Sequence, residues 1–226
     1  MICKRLRFLT VFGAALVFTM LGCTSKIQST TSSYLALGDS YTIGTAIGED
    51  SSYAAKLCLY LKGDKEDEQF DFKVIAKNGW TTTDLIGGMD AASFNRDFDV
   101  VSLLIGVNNQ YQGLSKNIYR KEFRELLKRA IGLAKNNNDS VFVLSIPDYG
   151  VCPVSIENKD AIAKDIDVFN LINREVSDSM EVRYVEITEL SRTALNQPDM
   201  VAKDGLHFSA GMQQKWFEKV KKELNL

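Results

Sequence analysis

Residues 100–108 read Val-Val-Ser-Leu-Leu-Ile-Gly-Val-Asn, an almost unbroken apolar run that ends in a glycine and a polar turn. A strand with one face in water alternates apolar and polar residues, whereas a strand buried on both faces is apolar throughout. Residues 100–105 therefore predict a central strand of a parallel sheet that carries helices on both faces.

Apolar runs of strand length recur along the chain and alternate with segments of helical period. The other predicted strands lie at residues 34–37, 70–76, 141–146 and 182–187. Apolar residues at helical spacing lie around residues 53–61, 118–134, 162–176 and 212–224. Strands that alternate with helices imply right-handed crossovers and parallel pairing. We therefore predict one three-layer α/β/α domain at residues 33–226, with a mainly parallel five-stranded sheet.

Residues 1–22 differ in composition from the rest of the chain. A basic segment at residues 4–7 precedes a nearly continuous apolar stretch at residues 8–21. The order of these segments is typical of a signal peptide for export. The stretch is also short for the roughly 20 residues that a membrane-spanning helix needs.

A cysteine follows this apolar stretch, directly after the small residue Gly22. The pattern resembles the bacterial lipoprotein signal, although Met20 stands where that signal usually has leucine. The resemblance implies that Cys23 is lipidated after cleavage and anchors an exported protein to a membrane of the cell envelope. Residues 23–32 form a polar tether, rich in serine and threonine, of the kind that holds a domain off a surface. Ordinary signal cleavage and an uncleaved anchor are the alternatives.

The charge balance excludes one large class of partner. The chain has 226 residues with 27 basic and 29 acidic side chains, a formal net charge of -2. Because there is no excess of positive charge to hold a phosphate backbone, we expect no nucleic-acid partner. The glycines at residues 38–48 lack the spacing that binds dinucleotides or phosphate, and one histidine without clustered cysteines disfavours a metal site. We expect neither a metal nor a cofactor.

Two cysteines, Cys58 and Cys152, lie in the predicted domain and are too few for a disulfide framework. Cys58 falls in an apolar helical pattern and is expected to be a small buried residue. Cys152 follows the fourth predicted strand, and the sequence leaves open whether the two thiols pair.

Three polar residues at two distant points of the chain suit acyl transfer. A serine hydroxyl is a weak nucleophile at neutral pH and needs a base beside it, which a third group must orient. His207 is the only histidine of the chain, and Asp204 precedes it at a distance that lets its carboxylate accept a hydrogen bond from Nδ1–H. Ser40, which closes the sequence Gly38-Asp39-Ser40 after the first predicted strand, is the candidate nucleophile.

Each of these patterns also has a purely structural interpretation. Gly-Asp-Ser is an ordinary turn sequence, and Asp-x-x-His is common where a helix begins, with the aspartate as cap and the histidine incidental. Their placement favours catalysis, because ligands of open α/β sheets bind at the carboxyl ends of the strands. Three polar blocks follow predicted strands, namely Gly38-Asp39-Ser40, Asn78-Gly79 and Gly106-Val107-Asn108.

Together with Asp204-Gly205-Leu206-His207, these blocks resemble the SGNH hydrolases of the GDSL esterase/lipase family. The resemblance covers essentially all of residues 34–226. It implies the flavodoxin-like form of the α/β/α sandwich, chemistry without a cofactor, and a catalytic triad of Ser40, His207 and Asp204.

The same resemblance assigns the groups that hold the oxyanion. The family pattern implies that the backbone N–H groups of Ser40 and Gly79 and the side-chain amide of Asn108 form the oxyanion hole. As alternatives, Gly79 serves only a tight turn and Asn108 only caps the segment that follows. Asn109 departs from the family, which commonly has aspartate there. The departure puts the local hydrogen bonding in doubt, rather than the oxyanion role of Asn108.

Side chains next to these blocks are candidates for the wall of a substrate pocket. They are Tyr41, Trp80, Tyr111, Tyr149 and Val151. Simple packing is the alternative for each of them.

We therefore predict an exported, membrane-anchored serine esterase that acts on carboxylic esters of a carbohydrate or a lipid through an acyl-enzyme on Ser40. A sugar O-acyltransferase and a non-catalytic carbohydrate- or lipid-binding lipoprotein on the same fold are the alternatives.

Overall fold

The structure is a computed structural model that describes residues 32–63 and 70–226. The predicted signal peptide at residues 1–22, the lipidation site Cys23 and the tether up to residue 31 lie outside the described residues. Among the described residues, no helix has the length and apolar character needed to cross a membrane.

Within residues 32–63 and 70–226, five parallel strands form one sheet, as the alternation of strand and helix patterns predicts. They are β1 (Ser33–Gly38), β2 (Asp71–Ala76), β3 (Val100–Leu104), β4 (Val141–Leu144) and β5 (Arg183–Val185). The order in the sheet is β2-β1-β3-β4-β5, and every neighbouring pair is parallel. This is the flavodoxin-like order, so the predicted fold class is confirmed.

Helices cover both faces of the sheet. The long ones are α2 (Tyr53–Lys62), α3 (Thr82–Ala91), α5 (Lys116–Leu133), α6 (Lys159–Ser179) and α8 (Ala210–Leu224). Three short helices, α1 (Ser40–Ile43), α4 (Val107–Tyr111) and α7 (Thr188–Arg192), follow β1, β3 and β5. Helices α2 and α8 pack together in one layer, and α5 packs between α3 and α6 in the other. Short 3₁₀ segments lie at Glu49–Ser51, Asn138–Ser140, Tyr149–Val151, Pro153–Asn158, Thr193–Asn196 and Pro198–Met200.

The central strand has the burial that its sequence predicts. Every residue of β3 is buried, and so is every residue of β1 and β4. β2 lies at one edge of the sheet and is partly exposed, with Val74 at 39%. The apolar run at residues 100–105 is therefore explained by helices on both faces of β3.

Two strands, β4 and β5, end two residues before the apolar runs that predict them. β4 ends at Leu144 instead of Ile146, because the side chain of Asn170 takes over the hydrogen bonds of Ile146. It accepts from the Ile146 N–H at 2.7 Å and donates to the Ile146 carbonyl at 2.9 Å. β5 is shorter than the predicted strand at residues 182–187 and comprises Arg183–Val185.

Helix α3 is not among the helices that the sequence patterns predict. Its interior contains Gly87 and Gly88, which weaken the helical pattern and carry no side chain for the core. Its first turn is fixed instead by a capping box between Thr81 and Asp84. A Cβ on Gly88 would approach the Trp80 ring to 2.4 Å, so the glycine gives the indole room to pack on the helix.

The burial of β3 gives a direct test of the core. Leu103→Ala removes a side chain that is 0% exposed and should lower the free energy of unfolding by about 2–5 kcal/mol. Leu59→Ala on α2 is the control, because Leu59 is 65% exposed and its loss should change stability by less than about 0.5 kcal/mol. Urea denaturation followed by circular dichroism measures both, and equal effects would contradict the assignment of β3 to the core.

Candidate active site

Ser40 lies at a tight passage from β1 into α1. A Cβ on Gly38 would come within 2.1 Å of the Thr42 hydroxyl and 2.5 Å of the Leu104 carbonyl, so only glycine fits there. Asp39 caps α1 by accepting the Tyr41 N–H, and Ser40 is the first helical residue. The Gly-Asp-Ser sequence is thus a turn in structural terms, and this turn displays Ser40 at the carboxyl end of the sheet.

The Asp39 carboxyl is buried and poorly compensated. Its Oδ1 accepts the Tyr41 N–H at 3.0 Å, while its Oδ2 has no hydrogen-bond partner among the described residues. Burial raises the pKa of Asp39 to about 7, and the Tyr41 N–H opposes this only in part.

His207 and Asp204 form a hydrogen-bonded pair. The distance from His207 Nδ1 to Asp204 Oδ2 is 2.6 Å, and Asp204 Oδ1 accepts the backbone N–H groups of Leu206 and His207 at 3.0 Å each. Burial acts to raise the pKa of Asp204, but these hydrogen bonds outweigh it and the pKa lies below its ordinary value. An ionised Asp204 accepts a hydrogen bond from Nδ1–H, which favours the tautomer with Nε2 as the acceptor.

The Asp-x-x-His sequence is not a helix cap in this structure. Ser209 caps α8 by accepting the Met212 N–H, whereas Asp204 bonds within its own turn and to the imidazole. Backbone hydrogen bonds from Ala202 to the His207 carbonyl at 2.7 Å and from Gly205 to the Ala202 carbonyl at 3.0 Å close this turn. The helix-cap interpretation of Asp204 is therefore wrong.

Gln213 ties the helix that follows the His207 loop to the helix that carries Ser40. Its Nε2 donates to the Tyr41 carbonyl at 3.1 Å, and its Oε1 accepts the Tyr53 N–H at 2.9 Å. The Tyr41 ring also meets the His207 ring edge to face at 5.8 Å. Sequence reasoning missed Gln213, although a polar residue inside the apolar face of α8 is the kind of signal that points to a buried role.

One cavity of about 210 Å³ collects most of the predicted site. Its lining residues are Ser40, Tyr41, Asn78, Val107, Asn108, Tyr111, Tyr149, Leu206 and His207. No hydrogen bond joins the Ser40 hydroxyl to the His207 imidazole within the described residues. In unliganded catalytic sites such hydrogen bonds are often long and shorten only when substrate binds.

The candidate oxyanion donors come from three loops at the same edge of the sheet. Gly79 has φ of 80° in a turn closed by the Trp80 N–H and the Lys77 carbonyl, at 3.2 Å. One N–H of the Asn108 amide donates to the Trp80 carbonyl at 2.9 Å, which leaves the other for a ligand. Among residues 32–63 and 70–226, neither the Ser40 N–H nor the Gly79 N–H has an acceptor.

Both polar atoms of the Asn109 side chain have a partner, despite its departure from the family pattern. Its Oδ1 accepts the Thr82 N–H at 3.0 Å, and its Nδ2 donates to the Thr82 hydroxyl at 2.7 Å. The side chain is 1% exposed. Helix α4, which follows β3, is thus joined to the start of α3.

Three of the five side chains proposed for the pocket wall line the cavity. Tyr41, Tyr111 and Tyr149 do so, and the rings of Tyr111 and Tyr149 meet at 5.9 Å. Trp80 and Val151 are not among the lining residues, and Trp80 packs on α3 instead. The lining residues Val107 and Leu206 were missed, although both lie within blocks that the sequence singles out.

A buried ion pair holds the loop that carries Tyr149. Asp148 Oδ2 accepts from Arg192 Nε at 2.9 Å, and Asp148 Oδ1 accepts the Gly150 N–H at 2.9 Å. The Asp148 side chain is 1% exposed. Asp148 therefore fixes a wall of the cavity and does not line it.

Neither cysteine is a competing nucleophile in this site. Both thiols are free, Cys152 is buried, and Cys58 is half-buried instead of buried as expected. Burial raises the pKa of Cys152 to about 12, so its thiol stays protonated at neutral pH. Within the described residues, no group of three or more His, Cys, Asp or Glu side chains has an arrangement that could hold a metal ion.

Comparison with known proteins identifies a family and similar folds. The model of the GDSL-like lipase/acylhydrolase family matches residues 36–215. An acetylxylan esterase from Geobacillus stearothermophilus, Axe2, has a similar fold, with a TM-score of 0.69, 18% identity, and coverage of 89% of this chain and 97% of that one. A lipase/acylhydrolase from Enterococcus faecalis has a TM-score of 0.64 and 17% identity, over 86% of this chain and 95% of that one.

A third similar structure is that of TesA, with a TM-score of 0.66, 16% identity, and coverage of 85% of this chain and 97% of that one. A search of curated proteins finds no match. The family match spans most of the chain, so this protein belongs to the GDSL-like lipase/acylhydrolase family, a family of carboxylic ester hydrolases.

The buried carboxyl of Asp39 predicts a pH-dependent stability. Because the pKa of Asp39 rises from 3.8 to about 7 on folding, the folded chain binds this proton more tightly than the unfolded chain. The resulting stability is fully present below about pH 4 and is lost as the pH rises through about 7. It amounts to a few kcal/mol, on the order that such a shift implies.

Asp39→Asn removes this titration while keeping the oxygen that accepts the Tyr41 N–H. The difference obtained by subtracting the Tm of the parent protein from that of the variant should therefore be more positive at about pH 8 than at about pH 5. Differential scanning calorimetry at both values measures this difference. A difference in Tm that is the same at both pH values would contradict the assignment.

Proposed function

We propose that this chain hydrolyses carboxylic esters through a covalent acyl-enzyme on Ser40, with His207 as general base and Asp204 as its orienting partner. The observation that carries the proposal is the cavity that Ser40 and His207 share. The imidazole in that cavity is held by Asp204 at 2.6 Å on the opposite nitrogen.

In the first half of the reaction, Ser40 Oγ attacks the ester carbonyl while its proton passes to His207 Nε2. The carbonyl oxygen becomes an oxyanion, which the N–H groups of Ser40 and Gly79 and the free N–H of the Asn108 amide stabilise. The bond to the alcohol oxygen then breaks, and the alcohol leaves with the proton from His207.

In the second half, water attacks the acyl group on Ser40 and gives its proton to His207. The bond to Ser40 Oγ breaks, the serine regains the proton, and the carboxylic acid is released. Asp204 stays ionised throughout and stabilises the imidazolium, which fits a carboxyl whose pKa lies below its ordinary value.

The size and lining of the cavity support a short acyl group on a carbohydrate alcohol. Pockets of about 300–1,000 Å³ hold drug-sized ligands, and this cavity of about 210 Å³ is smaller. Tyr111 is 69% exposed beside it and offers an aromatic surface to the alcohol part of an ester. The similarity to Axe2, an acetylxylan esterase, supports the same choice.

Hydrolysis of 4-nitrophenyl acetate by the purified protein tests the reaction. Ser40→Ala and His207→Ala should each lower kcat by roughly 10⁴-fold or more, because each removes a group that acts in the covalent route. Ser115→Ala is the matched control, since Ser115 is exposed and does not line the cavity. The parent protein should also release a burst of nitrophenol before the steady state, as an acyl-enzyme requires.

Acetylated xylo-oligosaccharides as acyl donors, with free saccharides as acceptors, distinguish an esterase from the alternative functions. Faster acyl transfer to the saccharide than to water would identify a sugar O-acyltransferase. A parent protein as inactive as Ser40→Ala on esters of several acyl lengths would contradict esterase activity and favour a binding protein.

We also propose that the chain is exported and held at a membrane of the cell envelope by a lipid on Cys23. The basic segment, the apolar stretch and the cysteine after Gly22 support this. When the full chain is expressed in bacterial cells, it should be cleaved before Cys23, and the mature protein should fractionate with membranes. The Cys23→Ala variant should not be lipidated. Mass spectrometry of the mature N-terminus checks both, and an unmodified N-terminus other than residue 23 would contradict the anchor.

A further inference from the structure

Two adjacent asparagines after β3 form hydrogen bonds with the segment that follows β2. Asn108 donates to the Trp80 carbonyl at 2.9 Å. Asn109 makes two bonds to Thr82, accepting its N–H at 3.0 Å and donating to its hydroxyl at 2.7 Å. Asn109 is 1% exposed and Thr82 is 0% exposed, so solvent does not compete for these bonds.

The direction of every bond follows from the groups present. A backbone N–H only donates, so the oxygen of Asn109 faces Thr82 N and its nitrogen faces the Thr82 hydroxyl. The Glu122 carboxylate on α5 only accepts, so the single proton of that hydroxyl goes to Glu122, at 2.5 Å. A second hydroxyl, that of Thr83, donates to the other Glu122 oxygen at 2.8 Å. The bonds therefore run from amide to hydroxyl to carboxylate without a conflict.

This chain of bonds connects two segments that carry separate oxyanion donors, the turn after β2 and helix α4. Gly79 lies in the turn after β2, three residues before Thr82, and Asn108 directly precedes Asn109. The pair Asn109 and Thr82 is thus a short link between the Gly79 N–H and the Asn108 amide.

We propose that Asn109 is a positioning residue, which with Thr82 and Glu122 fixes the spacing of the two oxyanion donors. The proposal rests on the esterase function proposed above. Loss of one oxyanion donor costs about 10²–10³-fold in kcat, and a displacement of about 1 Å costs on the order of 10²-fold. Misplaced donors should therefore lower kcat and leave KM nearly unchanged, because the oxyanion exists only beyond the ground state.

The network also explains why this chain carries asparagine where the family pattern commonly has aspartate. An ionised aspartate at residue 109 would only accept, as Glu122 does, and the Thr82 hydroxyl has one proton for the two of them. Two carboxylate oxygens would then face one hydroxyl, so one of these oxygens would lack a donor while both groups are negative. In this chain Asn109 donates to the Thr82 hydroxyl and Glu122 accepts from it, so the two residues are complementary.

A set of exchanges tests the match. N109D should lower kcat for 4-nitrophenyl acetate by roughly 10- to 100-fold, with KM within about threefold of the parent. E122Q alone should stay within about threefold, because a glutamine can turn its oxygen to the Thr82 hydroxyl. In N109D/E122Q the glutamine donates to that hydroxyl, and the hydroxyl donates to the carboxylate introduced by N109D. The kcat of this double variant should therefore return to within about fivefold of the parent.

The matched control exchanges a glutamate on the same helix. Glu125 pairs with Arg129 and touches neither asparagine, so N109D/E125Q should remain as impaired as N109D. Thr82→Val and Thr82→Ser add a test that does not need residue 109 to change. Valine removes the hydroxyl and should lower kcat roughly tenfold, whereas serine keeps it and should stay within about twofold.

Three results would overturn the proposal: a kcat of N109D within about twofold of the parent, no advantage of N109D/E122Q over N109D/E125Q, or equal activity of the two Thr82 variants. Ser40→Ala in the same assay keeps the two proposals apart. If the parent is active and Ser40→Ala is not, such results reject only the role of Asn109. If the parent is no more active than Ser40→Ala, the esterase function fails and the role of Asn109 fails with it.

Discussion

The parallel register of β1 with its two neighbours is the constraint that brings the site together. Gly38 pairs with Ala76 on one side and with Leu104 on the other, so β1, β2 and β3 end at the same level. The segments that leave these strands therefore start side by side, which brings Ser40, Asn78 and Asn108 to one cavity although they are far apart in sequence. A shift of β1 by one residue would turn its side chains to the opposite faces of the sheet and separate these segments.

Two carboxyl groups near Ser40 show how the surroundings divide the electrostatic roles. Asp204 accepts hydrogen bonds from two backbone N–H groups and from the imidazole. Its pKa is therefore lowered, which suits the role of an ionised partner for His207. Asp39 accepts one N–H in a buried position, so its pKa is raised to about 7 and it serves the turn that displays Ser40. The difference follows from the number of donors that each carboxylate receives against the cost of its burial.

Sequence patterns located all five strands and most of the residues that share the cavity, because apolar runs and strand-end turns depend on neighbouring residues in the chain. They did not locate α3, because Gly87 and Gly88 interrupt the helical spacing of its apolar residues. They also missed Gln213 and Thr82, whose partners lie in other parts of the chain. Such polar contacts depend on which elements meet in space, and a single sequence does not contain that information. The early end of β4 has the same origin, since the side chain of Asn170 replaces a strand neighbour.

Whether His207 activates Ser40 is best measured by covalent labelling with a fluorophosphonate, followed by peptide mapping in a mass spectrometer. Such a reagent modifies a serine only where a base raises its nucleophilicity and donors hold the developing charge. We expect one adduct, on Ser40, and labelling at least about a hundredfold slower in His207→Ala. An adduct on another residue, or labelling of Ser40 at the same rate without His207, would contradict the proposed triad.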